Sequence, residues 1–148
     1  MKIAVGGDGN GYPLKEVVRE HLVALGHDVV DFGVDGDADR DYPDVAEPVA
    51  RAVAAGDVDR AVLVCGTGLG MAIVANKVRG VRAAPVTDPY SAERAIKSND
   101  AKILCLGALV VGSEVAKLLV DHWVAGEFAG GRSLPKVEKI QALDERER

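Results

Sequence analysis

The chain has 148 residues, 48% of them hydrophobic and 28% charged, which is the composition of one compact domain whose core needs no metal or disulfide staple. Collagen-like, disordered and miniature disulfide-rich classes are excluded. Lys and Arg number 18 against 23 Asp and Glu, a net charge of -5, and this excess of acid weighs against nucleic acid as the main partner, since phosphate backbones are bound by clustered cations.

In chain order, short apolar runs alternate with longer stretches at helical spacing. The runs predict strands near 2–7, 28–33, 60–65, 81–85 and 102–106, and the stretches predict helices near 11–25, 44–55, 68–78, 89–97 and 112–125. This alternation implies an α/β fold, a parallel sheet covered by helices on both faces. In the first helix Leu14, Val17, Val18, His21, Leu22 and Leu25 share one side, and Gly26 is a stop. Asp88-Pro89 opens the fourth, with Asp88 as cap and Pro89 in the first turn, where its missing donor costs nothing. Beyond Gly126 the composition shifts through Gly130-Gly131-Arg132 to an amphipathic segment carrying Val137, Ile140 and Leu143. Residues 1–148 thus form a single domain ending in a helical arm, about 127–148, that docks on its own domain or on a neighbouring subunit, with the charged Asp144–Arg148 end frayed.

Cys65 and Cys105 each sit in an apolar run, the pattern of reduced thiols at strand ends, so the chain is expected in the cytoplasm. The N-terminus turns polar too soon for a signal peptide, and no run of about 18 apolar residues offers a membrane span.

Ligands of doubly wound sheets collect beyond the carboxyl ends of the strands. The loop after the first strand, Gly6-Gly7-Asp8-Gly9-Asn10-Gly11, fits neither the dinucleotide nor the Walker pattern, and Asp8 is either part of a tight turn or a ligand contact. The loop after the third strand, Cys65-Gly66-Thr67-Gly68-Leu69-Gly70-Met71, is the strongest signal. Its glycines let several backbone N–H groups converge on an anion or a developing oxyanion. Cys65 at the rim is either a small core residue or a thiolate that acts as base or nucleophile. Lys97-Ser98-Asn99-Asp100 is a polar turn before the last strand, and Tyr42 in Arg40-Asp41-Tyr42-Pro43 is either a packing aromatic or a hydroxyl donor. His21, His27 and His122 are scattered, which fits structural roles rather than a zinc or triad site.

Taken together, Gly-Gly-Asp8, Asp41-Tyr42-Pro43, Cys65-Gly66-Thr67-Gly68-Leu69-Gly70, Ala75-Asn76-Lys77, Pro89-Tyr90-Ser91-Ala92, Asn99-Asp100 and Gly130-Gly131-Arg132 resemble the family of ribose-5-phosphate isomerase B and the galactose-6-phosphate isomerase subunits over nearly the whole chain. The resemblance implies a Rossmann-like three-layer sandwich with a five-stranded parallel sheet, and a homodimer or homotetramer with active sites shared between subunits. It further implies cofactor-free and metal-free aldose-ketose isomerisation through an enediol. Cys65 matches the family's base, the amides of Gly66, Gly68, Leu69 and Gly70 its anion cradle, and Thr67 a proton carrier between substrate oxygens. Asp8, Gly9, Tyr42 and Asn99 match substrate contacts, while Arg132 and Lys136 match phosphate contacts. The departures bear on the substrate. The family's ring-opening histidine is Ser98 here, a second histidine is Gly9, and a phosphate-binding arginine is Leu109. A tetrose phosphate cannot close a furanose through its phosphorylated oxygen, so these changes point to D-erythrulose 4-phosphate and D-erythrose 4-phosphate. Alternatives are ribose 5-phosphate with ribulose 5-phosphate, an unphosphorylated rare sugar, or a non-catalytic sugar-phosphate-binding module.

Overall fold

A computed structural model of the chain describes residues 1–33 and 40–147. Five strands, β1 (Lys2–Gly7), β2 (Asp28–Asp31), β3 (Arg60–Cys65), β4 (Ala83–Pro85) and β5 (Ile103–Gly107), form one parallel sheet in the order β2-β1-β3-β5-β4. Helices α1 (Tyr12–Ala24), α2 (Tyr42–Ala55), α3 (Leu69–Ala75), α4 (Pro89–Lys97) and α5 (Ser113–Val124) alternate with them, and a 3-10 turn, Gly131–Ser133, leads into α6 (Leu134–Glu147).

The central strands are apolar almost throughout because both of their faces are covered. Val62, Val64, Leu104 and Leu106 pack under α1, α4 and α5, whereas Ala61, Leu63, Cys65, Ile103 and Cys105 pack under α2 and α3. This is the three-layer α/β sandwich that the alternation predicts. Arg60 is the polar exception in β3, only 8% exposed. Its guanidinium donates to the carbonyls of Trp123 at 2.9 Å and Gly126 at 2.7 Å, satisfying the free carbonyls at the end of α5.

The helix limits follow local chemistry. Gly26 stops α1 with φ 91°, and Asp88 Oδ1 accepts the Ser91 N–H at 2.8 Å to cap α4. The second helix starts at Tyr42 rather than near 44, since extended Asp41 leads into a first turn where Pro43 is tolerated. The third stops at Ala75, short of the expected 78, and the Asn76 side chain then pairs with both backbone groups of Ala83, turning the chain into β4. The charged end does not fray from Asp144. It stays helical to Glu147, tied down by Asp144, which accepts the Gly80 N–H, while Arg148 lies outside the described residues. The arm contacts its own chain through Asp144 and through the Ala129 N–H, which donates to the Lys97 carbonyl, and its Val137 is 8% exposed.

Candidate active site

β1 and β3 are neighbours, with Gly7 paired to Val64, yet α1 leaves toward one face of the sheet and α3 toward the other. The loops after these two strands diverge, and the crevice between them is where a doubly wound sheet takes its ligand. Asp8 stands at its edge. Its N–H donates to the Val64 carbonyl at 3.3 Å, and its Oδ1 accepts the Gly11 N–H at 2.8 Å. Gly11 must be glycine, because a Cβ there would lie 2.0 Å from the Val64 oxygen.

Cys65 ends β3, 5% exposed, with its sulfur accepting the Gly68 N–H at 3.1 Å. Gly68 adopts φ 80°, the left-handed region that glycine enters without penalty, and this folds the loop back on Cys65. Thr67 is exposed, its Oγ1 accepting the Leu69 N–H at 3.3 Å. The turn is pinned by the residues that follow β5: the Cys65 and Gly66 carbonyls accept the N–H groups of Ala108 and Leu109. Cys105 lies on the same face of the sheet, where burial, with Cys65 nearby, pushes its thiol far up and leaves it protonated. Both thiols are free.

Tyr42, the first residue of α2, closes one side. Its ring lies so close to Gly70 that a Cβ at that glycine would stand 2.6 Å from it. With Asp8, Gly9, Asn10, Arg40 and Asp41 it lines an open pocket of about 340 Å³. Three of these linings, Asn10, Arg40 and Asp41, were missed in the sequence as ligand contacts. Arg40 brings a cation, oriented by donation to the carbonyls of Phe32 at 3.1 Å and Asp44 at 3.3 Å. The only signal was its place just before a helix start. Leu109, 77% exposed, and the Asn10 amide stand over Gly66 on the other side.

The structure thus brings together Asp8, Gly9, Tyr42, Cys65, Gly66, Thr67, Gly68, Leu69 and Gly70. It does not bring Ser98, Asn99, Arg132 and Lys136 to them. Ser98 and Asn99 precede β5, and Cys65 pairs with Gly107 at that strand's far end. Five strand residues separate the two groups by roughly 17 Å along the sheet. The arm that carries Arg132 and Lys136, both exposed, is held at the Ser98 end, where the Ala129 N–H donates to the Lys97 carbonyl at 3.1 Å.

His21 contacts Asp121 at 2.6 Å and His27 contacts the N-terminus at 3.2 Å, both away from the crevice. Among the described residues no group of three or more His, Cys, Asp or Glu side chains is placed to hold a metal ion. No helix among them is long and apolar enough to cross a membrane.

Comparison with known proteins matches residues 3–140 to the family described as Ribose/Galactose Isomerase. The chain is 48% identical to "Ribose-5-P isomerase B" of Listeria innocua, with all of both chains covered. It is 49% identical to "D-erythrulose-4-phosphate isomerase 2" of Mycolicibacterium smegmatis, covering 97% of each. Among solved structures, ribose-5-phosphate isomerase B of Clostridium thermocellum superposes with a TM-score of 0.97 at 45% identity, again over the whole of both chains.

Proposed function

The chain belongs to the ribose/galactose isomerase family, and from that premise we propose that it is a metal-independent aldose-ketose isomerase interconverting D-erythrulose 4-phosphate and D-erythrose 4-phosphate. The observation that carries this reading is Cys65, which meets the Gly68 N–H at 3.1 Å in a glycine-rich turn at the carboxyl end of a central strand. A base and an anion cradle stand in one loop. The Cys65 thiolate takes the proton from C1 of the ketose, the C–H electron pair forms the C1–C2 double bond, and the carbonyl pair moves onto O2. Backbone N–H groups of Gly66 to Gly70 stabilise that oxyanion. Thr67 carries a proton between O1 and O2, and the Cys65 thiol returns its proton to C2, giving the aldose.

Identity alone does not choose the sugar, because relatives named for the pentose and for the tetrose are equally near. Ser98 decides. A serine hydroxyl is too weak an acid to open a furanose, and a four-carbon sugar phosphorylated on its last oxygen needs no opening. Ser98, Asn99, Arg132 and Lys136 serve the partner's site in a homodimer, a reading supported by their distance from Cys65 within one chain, with Arg132 offering a bidentate fork to phosphate. Residues 1–148 act as one domain. Its compartment is the cytoplasm, where a reducing poise keeps Cys65 a thiol.

NMR in deuterated water tests the reading. Purified protein incubated with D-erythrulose 4-phosphate is expected to place carbon-bound deuterium in the sugar, faster than with D-ribose 5-phosphate. Cys65→Ala is expected to lower that exchange by about a thousandfold. Faster pentose turnover would reject the tetrose assignment, and undiminished exchange in Cys65→Ala would reject the base.

A further inference from the structure

The turn that precedes β5 is held more firmly than a solvated loop requires. Asp100 has φ 49°, an uncommon conformation for a side-chain-bearing residue, and Arg82 clamps it by donating from Nε to the Asn99 carbonyl at 2.9 Å and from Nη2 to the Asp100 carboxylate at 2.8 Å. One turn back on α4, Arg94 reaches forward. Its Nη1 donates to Ser98 Oγ at 3.3 Å, its Nη2 donates to Glu93 at 2.9 Å, and its guanidinium lies 5.9 Å from the Tyr90 ring. Its Nε is enclosed, without an acceptor among the described residues. The group is thus fixed in orientation and aimed at Ser98.

A serine at a helix end commonly gives its hydroxyl hydrogen to the carbonyl four residues back. Here that hydroxyl donates to no acceptor among the described residues, while its lone pair is taken by Arg94. We propose that Arg94 is a positioning residue for the isomerisation: by donating to Ser98 Oγ it turns the serine hydrogen outward, as a polarised donor to the carbonyl oxygen of an open-chain sugar phosphate in the partner's site. This rests on the assignment of Ser98 to that site made above. The pair replaces acid chemistry with electrophilic polarisation, which suits a substrate that arrives with its carbonyl free.

Steady-state kinetics on D-erythrulose 4-phosphate with Ser98→Ala, Arg94→Met, Arg94→Lys and the Arg94→Met/Ser98→Ala pair test it, each variant first matched to wild type in thermal unfolding. Ser98→Ala is expected to lower kcat about a hundredfold, the scale of one lost donor to a developing oxyanion. Arg94→Met is expected to lower kcat about tenfold with KM unchanged, the scale of one charge-assisted hydrogen bond. The double variant then falls no further than Ser98→Ala alone, because Arg94 acts only through the hydroxyl, and Arg94→Lys recovers part of the loss. Factors that multiply in the double variant, a raised KM with unchanged kcat, or an Arg94→Met enzyme equal to wild type each overturn the inference. If Ser98→Ala itself matches wild type, the placement of Ser98 fails and Arg94 falls with it. A wild-type enzyme inactive on both the tetrose and the pentose phosphate rejects the isomerase reading itself. Should Arg94→Met prove unstable, Arg94→Gln carries the same comparison.

Discussion

Lys15 has no exposed side-chain surface, yet it carries a charge. Its ammonium donates to both oxygens of Asp31 at 3.0 and 2.8 Å and meets Glu16 at 2.9 Å. Burial pulls its pKa down, but the bonds to Asp31 and Glu16 outweigh that, and the net shift is upward. The pairing anchors the end of β2 to α1 and so fixes where the chain sets out toward Arg40 and Tyr42. Glu16 registers the same cluster from the acid side. Hydrogen bonds from Arg19 first and Lys15 second lower its pKa from about 4.5 to about 2. A depressed acid stabilises the fold fully above its unfolded pKa and loses that contribution as pH falls through the folded one. Glu16→Gln is therefore expected to cost about 1 kcal/mol at neutral pH, modest because the side chain keeps contact with water. In urea titrations the gap to wild type should stay constant down to about pH 5 and close by about pH 2. A gap unchanged across that range would mean that the carboxylate's charge is irrelevant.

At the level of elements, the candidate site is a matter of turns rather than helices. Gly70 shows this, since a methyl group there lands on the Tyr42 ring. Tyr42 is 40% exposed and can swing outward, so Gly70→Ala is expected to leave thermal stability near wild type while opening the pocket wall. Turnover should fall roughly tenfold to a hundredfold, as misplacing a wall of the site by about 1 Å does. Unaltered kinetics would remove Tyr42 from the site. The helices and strands were legible in the sequence because each buried face writes its own period. β3 and β5 are continuous apolar runs since both faces are covered, and Gly26 and Asp88 end or begin helices by backbone rules that need no tertiary context. The Cys65 turn was legible for the same local reason, an apolar strand running into alternate glycines. Asn10, Arg40 and Asp41 were not, because the pocket they share forms only where the loop after β1 meets the segment before α2, two stretches distant in the chain. Lys15 on an amphipathic helix looks like the wet face, and only the strand beside it reveals the carboxylate that draws it in. The end of α6 was misjudged because one contact, Asp144 to Gly80, outweighs a run of charge.

For the whole molecule, an all-parallel sheet sends every strand's carboxyl end to one pole. Cys65 lies at that pole and Ser98 at the other, so a shared-site dimer makes a strong prediction. Cys65→Ala and Ser98→Ala proteins, each nearly inactive, should regain about a quarter of wild-type activity after mixed refolding, because half the dimers are mixed and each mixed dimer holds one intact site. Sedimentation should show the dimer under the same conditions. No recovery, or an active monomer, would place the whole site within one chain. The fold also supplies an optical reporter of this polarity. Trp123, the single tryptophan of the sequence, is fully buried, with its indole N–H donating to the Ala101 carbonyl at 2.9 Å and Arg60 5.4 Å from its ring. It sits beneath the Ser98 turn, remote from the thiol. Its fluorescence therefore reports on the Ser98 end of the chain and not on the Cys65 end, so that events at that turn can be followed in the unmodified protein.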